Sequence, residues 1–171
     1  MKNRTLGRRV AAAVTGAALV AGSVISMTAP AQAYNPDPSV KSIKVNTSGC
    51  GCRLNDPFDD TYFEKDAGGT GLKMELRKDG WYVGKVEFHP ADEILYFYDT
   101  RNDGDGYYGI LRWFNTDNNR WVTIYFAPPS TSKVVDQDHY NLDIPEGKKV
   151  YIELYDNSSR TDFIKSATAV A

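Results

Sequence analysis

Carboxylates recur at alternate positions in the run Asp99-Thr-Arg-Asn-Asp-Gly-Asp-Gly106, among glycines that let the chain wrap tightly. Calcium takes several hard oxygen ligands from loops of this kind, so Asp99, Asp103 and Asp105 are its candidate ligands here. Two positions depart from an EF-hand-like pattern: Arg101 stands where an oxygen donor belongs, and Ile110 holds the place of the closing Glu. The competing reading is a strand-to-strand loop in which Asp and Asn bond their own backbone and glycine takes positive φ. Calcium is the single cofactor these residues suggest.

Cys50-Gly51-Cys52 holds both cysteines of the chain. In an oxidising compartment they pair with each other or with a second chain. The spacing lacks the C-x-x-C motif and helix N-terminus that lower a catalytic thiol's pKa, which disfavours redox chemistry. Zinc would need two further ligands, and the two histidines, His89 and His139, lie far apart in the sequence. Neither G-x-S-x-G nor H-E-x-x-H occurs. A glycosidase-like carboxylate pair would have to be assembled by the fold from the many Asp and Glu residues.

The stronger lead is aromatic. In Arg120 to Phe126, if Val122, Ile124 and Phe126 face inward, then Trp121, Thr123 and Tyr125 face outward. Tyr151 and Tyr155 stand likewise opposite Val150, Ile152 and Leu154. Such a row stacks on sugar rings or anchors a protein interface, although cross-strand aromatic pairs also stabilise exposed sheets without binding anything. Trp81, Tyr107 and Tyr108 are further candidates for exposure.

Strands must hold these residues. Leu72, Met74 and Leu76 alternate with Lys73, Glu75 and Arg77, the period of a half-buried strand. Asp79-Gly80 then predicts a primed two-residue turn into Trp81 to Phe88. Glu93 to Asp99, Gly109 to Asn115 and Arg120 to Phe126 read as strands, the last two joined around Thr116 to Asn119. A polar loop follows, then strands at Tyr140 to Ile144, at Val150 to Leu154 and within Asp162 to Val170. No sustained helical period occurs after Gly71. Seven or eight short strands predict an all-β antiparallel sandwich, Ig-like or similar, over 72–171. Residues 34–71, rich in Pro and Gly, are expected as a loosely ordered, flexible arm with one edge strand at Val40 to Val45.

Residues 1–33 read as a secretory signal peptide: Lys2, Arg4, Arg8 and Arg9, then an apolar run from Val10, then Ala31-Gln32-Ala33 with small residues at the cleavage positions. The apolar run is short of a membrane span, and the Arg8-Arg9 flanks fit general secretion better than twin-arginine export. Removing this segment takes four of the 20 basic residues and none of the 22 acidic ones, so residues 34–171 carry 16 basic against 22 acidic side chains, a formal charge of −6. That balance disfavours nucleic acid and anionic membrane as partners.

The central run Ile94-Leu-Tyr-Phe-Tyr-Asp-Thr-Arg-Asn-Asp-Gly104 and the closing strand Lys149-Val-Tyr-Ile-Glu-Leu-Tyr155, behind a leader ending in A-Q-A, resemble small secreted β-domain proteins of unknown function from actinomycetes. These carry a similar D-T-x-x-D-G stretch before an aromatic strand, and the likeness covers Leu72 to Ala167. Members often place cysteines near the closing strand, where this chain has none. The resemblance implies an extracellular location and no particular activity. The leading expectation is a secreted, non-enzymatic binding module that recognises a glycan or a protein through Trp121, Tyr125, Tyr151 and Tyr155. The alternatives are a small extracellular hydrolase with paired carboxylates, and a secreted enzyme inhibitor presenting the loop Ala127 to Asp138.

Overall fold

Asp79 and Gly80 both adopt positive φ, 51° and 81°, the left-handed geometry that a primed turn demands and that Gly supplies at no steric cost. The strands on either side pair from Lys78↔Trp81 back to Leu72↔Phe88. A computed structural model describes residues 33–131 and 133–171. The leader expected over 1–33 lies outside the described residues apart from Ala33.

Eleven strands follow in chain order among the described residues: β1 (Ser39–Asn46), β2 (Cys52–Leu54), β3 (Thr61–Phe63), β4 (Thr70–Lys78), β5 (Trp81–His89), β6 (Ile94–Asp99), β7 (Tyr108–Asn115), β8 (Arg120–Phe126), β9 (Asp136–Asn141), β10 (Lys149–Tyr155) and β11 (Phe163–Val170). The chain is all-β and antiparallel throughout its ladders. No helix among the described residues is long and apolar enough to cross a membrane.

Nine strands form one sheet in the order β8-β7-β10-β11-β4-β5-β6-β9, with β1 also on β4; β2 and β3 form a separate hairpin. The sheet curls until its two halves face each other. Phe97 on β6 and Phe126 on β8, far apart in the strand order, come within 5.2 Å between ring centroids. Between the halves lie Leu72, Met74, Leu76, Val86, Phe88, Leu95, Leu111, Val150, Ile152 and Leu154, all at 0 % exposure. Alternation puts every second side chain of these strands inside, as Val150, Ile152 and Leu154 show along β10. Between β11 and β4 the ladder is one residue pair, Val170↔Thr70.

Three features differ from the sequence expectation. Residues 34–71 are not a loose arm: β1 pairs with β4 over eight residues, and Tyr34 and Phe63 are buried. The strand expected at Tyr140 to Ile144 is β9, running Asp136–Asn141 against β6, because Asp136 can be buried once Thr131 bonds its carboxylate through both amide and hydroxyl. Tyr107, expected outside, is 1 % exposed. Its hydroxyl accepts from the Tyr98 amide at 3.1 Å and has the Lys85 carbonyl at 2.9 Å and the Tyr98 carbonyl at 3.0 Å. Those partners satisfy a group that is costly to bury alone.

Candidate functional site

The outer face of β7, β8, β10 and β11 carries the aromatic residues singled out by alternation. Register sets Trp121 opposite Phe114, Thr123 opposite Arg112, and Tyr125 opposite Ile110. On the other side of β7, Tyr151 faces Arg112, Glu153 faces Ile110, and Tyr155 faces Tyr108. Trp121 meets Phe114 and Tyr151 edge to face, each with centroids 5.6 Å apart, and Tyr155 meets Phe163 at 5.8 Å. Trp121, Tyr125 and Phe163 remain more than half exposed. All four expected binding residues therefore share one face, with Tyr151 and Tyr155 half-buried between neighbours.

Charge is threaded through the rings. Arg112 pairs with Glu153, whose other oxygen accepts the Tyr155 hydroxyl at 2.7 Å. That bond, with some burial and the Glu153 charge, raises the Tyr155 pKa. The Arg160 guanidinium lies 4.8 Å from the Tyr125 ring centroid, within range of a cation–π contact. Beyond Tyr151 the face sinks into a groove of about 390 Å³ lined by Lys44, Glu153, Lys165 and Thr168, among others. There Lys44 Nζ donates to Thr168 Oγ1 at 2.7 Å.

The opposite half of the molecule holds a cleft that alternation did not reveal. Lys73 and Glu75 on β4, and Lys85 and Glu87 on β5, face away from the core yet are at most 5 % exposed. Asp56, Asp59 and Asp60, from the segment joining β2 to β3, fold over them. Lys73 Nζ lies 2.6 Å from Asp56 Oδ2 and 3.2 Å from Glu75. Lys85 Nζ reaches Asp56 at 3.1 Å, Glu87 at 2.8 Å, the Asp60 carbonyl at 2.9 Å, and Asp59. Burial works against the charge on Asp56, but bonds from Lys73, the Phe58 amide and Lys85 outweigh it and hold the carboxyl well below the usual carboxylate range. Burial likewise opposes charge on Lys85, and Asp59, Glu87 and Asp56 more than offset it.

Beside this network a cleft of about 360 Å³ is lined by Thr61, Tyr62, Glu64, Glu87, His89 and Tyr96, among others. Glu87 is held by Lys85, by Thr61 and by His89 Nε2 at 3.1 Å. Burial raises its pKa, while the His89, Lys85 and Thr61 bonds together bring it below the ordinary value. A carboxylate so occupied is a poor proton donor, which weakens the hydrolase alternative at this position. The signal that would have exposed the network was present in the chain: Lys73↔Glu87 and Glu75↔Lys85 are cross-strand opposite charges, and Asp56-Pro-Phe-Asp-Asp60 supplies acids to match both lysines.

No protein family, no curated protein and no solved structure matches this chain.

The remaining candidates disperse. Asp105 pairs with Lys78 at 3.3 Å, Asp103 lies 3.8 Å from Arg101 and accepts the Asp105 amide, and Asp99 accepts the Arg101 amide at 2.9 Å. Asp99 and Asp103 thus bond backbone amides within the loop, and Asp105 meets β4. Burial, outweighing the Arg101 bond and aided by Asp103, Asp136 and Asp105, pushes Asp99 up to about 7. Among the described residues, the acidic group whose oxygens come within 4.8 Å of one another is Asp37, Asp156 and Asp162. Cys50 and Cys52 form a disulfide with each other. Trp81 is 65 % exposed at the β4–β5 turn, with the Arg101 guanidinium 5.0 Å from its ring centroid. In the Ala127 to Asp138 loop, the Thr131 bonds to Asp136 fix one end and Val134 is exposed.

Proposed function

We propose that this chain is an exported, non-enzymatic binding protein whose β7, β8, β10 and β11 face takes an extended glycan. The observation that carries this reading is the continuity of the exposed rings with a polar groove: Trp121 touches Tyr151, and Tyr151 lines the groove beside Lys44, Glu153 and Lys165. A sugar presents C–H groups from its ring faces, which suit the negative face of an aromatic ring, and hydroxyls from its rim, which suit ammonium and carboxylate groups. Trp121 and Tyr125 stand four residues apart on one strand, roughly 13 Å. That span calls for several linked sugars rather than one.

The groove counts against a protein partner, because interfaces are depleted in Lys and Glu whereas Lys44, Glu153 and Lys165 line it. Export is supported by the basic start, apolar run and A-Q-A of residues 1–33.

The test is affinity electrophoresis of the folded protein in gels containing a panel of soluble polysaccharides, run beside Trp121→Ala and Trp81→Ala. At least one polysaccharide is expected to retard the wild type and Trp81→Ala equally, while Trp121→Ala migrates at least roughly tenfold more weakly bound, the loss of about 1 to 3 kcal/mol of stacking and contact area. Equal retardation of all three, or none across the panel, would sink the reading.

A further inference from the structure

Tyr34 is 3 % exposed and belongs to the core, while Ala33 before it is exposed. The main-chain nitrogen of Tyr34 donates to Asp156 Oδ1 at 3.0 Å. Terminal segments of domains fray unless something ties them down, and here the tie is a carboxylate that two others approach. Asp37, just ahead of β1, and Asp162, from the β10–β11 turn, bring oxygens within 4.8 Å of those of Asp156. One neutral amide hydrogen bonded to Asp156, with Asp37 and Asp162 beside that carboxylate, leaves an excess of negative charge. Burial, offset in part by the Tyr34 amide and aided by Asp37 and Asp162, pushes Asp156 up to about 6.

A neutral peptide nitrogen has one hydrogen to give. An α-ammonium has three and a full positive charge. The A-Q-A motif ends at the bond that separates these two states. Hydrolysis of the Ala33–Tyr34 peptide adds hydroxide to the Ala33 acyl carbon and hydrogen to the Tyr34 nitrogen, and the new amine takes a further proton from solvent at neutral pH.

We infer that Asp37, Asp156 and Asp162 are the receptor for the processed N-terminus of this same chain: cleavage after Ala33 turns the Tyr34 amide into an α-ammonium that the three carboxylates hold, locking the mature fold. The inference rests on the export reading of residues 1–33. It concerns the end of the molecule that carries the Asp99–Asp105 loop, and does not involve Trp121 or the groove.

The charges facing this nitrogen are mostly acidic. Besides the three receptor residues, Asp105 from the β6–β7 loop acts on Asp156, and Asp99, Asp103 and Asp105 act on the Tyr34 phenol at the far end of the same side chain. Against them stands Lys78, whose Nζ lies 5.0 Å from the Tyr34 ring centroid. Such surroundings raise the α-ammonium pKa above its ordinary value of about 7.7 to 8.0. The resulting stability is present in full below that ordinary value and disappears as pH rises through the raised one.

The experiment compares residues 34–171 with a free Tyr34 amine against the same chain retaining Ala33, alongside the full chain exported under its own leader. Residues 34–171 contain all eleven strands and the described core. Intact mass of the exported protein is expected to correspond to a start at Tyr34. Near pH 7, the free-Tyr34 chain is expected to melt roughly 3 to 6 °C above the Ala33-retaining one, and to resist amine acylation at its N-terminus. The gap closes near pH 10.5 and in Asp156→Asn; the exposed Asp162→Asn, which leaves the buried bond in place, narrows it. Equal melting temperatures at pH 7 overturn the inference. So does calcium that stabilises both chains equally and loses its effect in Asp156→Asn, since the group would then serve a metal ion. Export with a start other than Tyr34 overturns the processing step at its source, while a Tm gap between the two prepared chains would show that the failure lay with the export reading.

Discussion

Lys73 Nζ and Asp56 Oδ2 stand 2.6 Å apart, with both side chains wholly removed from solvent. Asp56 also receives Lys85 at 3.1 Å on the same oxygen, and the amides of Phe58, Asp59 and Asp60 on the other at 2.8, 3.0 and 3.2 Å. One carboxylate thus compensates two buried ammonium groups and shapes the loop that covers them.

Asp56→Ala is expected to destabilise the fold by about 3 to 5 kcal/mol, because it leaves two buried cations with fewer partners. Urea melts near pH 7 measure this directly, and a loss below about 1 kcal/mol would show that water replaces the carboxylate. Because its pKa is depressed in the folded state, Asp56 contributes stability that is present above the ordinary carboxylate pKa and is lost as pH falls through the lowered one. Wild type should therefore lose stability steeply in strong acid, and Asp56→Ala should lose less of what it retains.

Asp99 behaves in the opposite sense. It pairs across the ladder with Asp136 and its carboxyl is pushed up to about 7, so the folded state favours its protonated form. Stability from this group is present in acid and falls as pH climbs from the ordinary carboxylate value to about 7. Asp99→Asn keeps an acceptor for the Arg101 amide and removes the charge. It should raise stability at pH 8 by on the order of 2 kcal/mol and leave it unchanged near pH 4, as read from melting curves at the two values. A uniform shift at both would place the effect elsewhere.

Gly109 lies opposite Phe126 on the β7–β8 ladder, and an added Cβ would overlap that ring. Phe126 is 2 % exposed and packs at a tilt against Phe97, so it has little room to withdraw. Gly109→Ala should cost roughly 1 to 3 kcal/mol, with a Tm fall larger than that of Gly49→Ala, where nothing lies within 4 Å. Equal effects would mean the aromatic pair yields more easily than its burial suggests.

Glu153 links Arg112 to Tyr155 and also lines the groove. Glu153→Gln keeps the shape and drops the charge. On the glycan reading it should weaken polysaccharide retardation roughly fivefold, about 1 kcal/mol, while Tm moves by less than a few degrees. Undiminished retardation would exclude the groove from the site and confine recognition to the rings.

The β-hairpin chemistry was legible in the chain because Asp79-Gly80 permits few other conformations, and the inner face of β10 because Val150, Ile152 and Leu154 keep strict alternation. The outward placement of Trp121, Tyr125, Tyr151 and Tyr155 followed from the same period. What alternation does not encode is a second layer on the outer side of a strand. Lys73, Glu75, Lys85 and Glu87 occupy polar positions that would ordinarily meet water, and only the return of Asp56 to Asp60 over them makes an ionic interior there. Tyr107 was misplaced for a related reason: a hydroxyl with three partners in neighbouring strands can lie deep in the fold, and nothing within a few residues of it announces those partners.

Val170 and Thr70 form the one rung joining β11 to β4. A seam that narrow transmits little through the main chain, so the thermodynamic unity of the protein rests on side chains meeting across the interior, Phe97 against Phe126 among them. The aromatic platform and the ionic layer are thus coupled through one shared apolar interior.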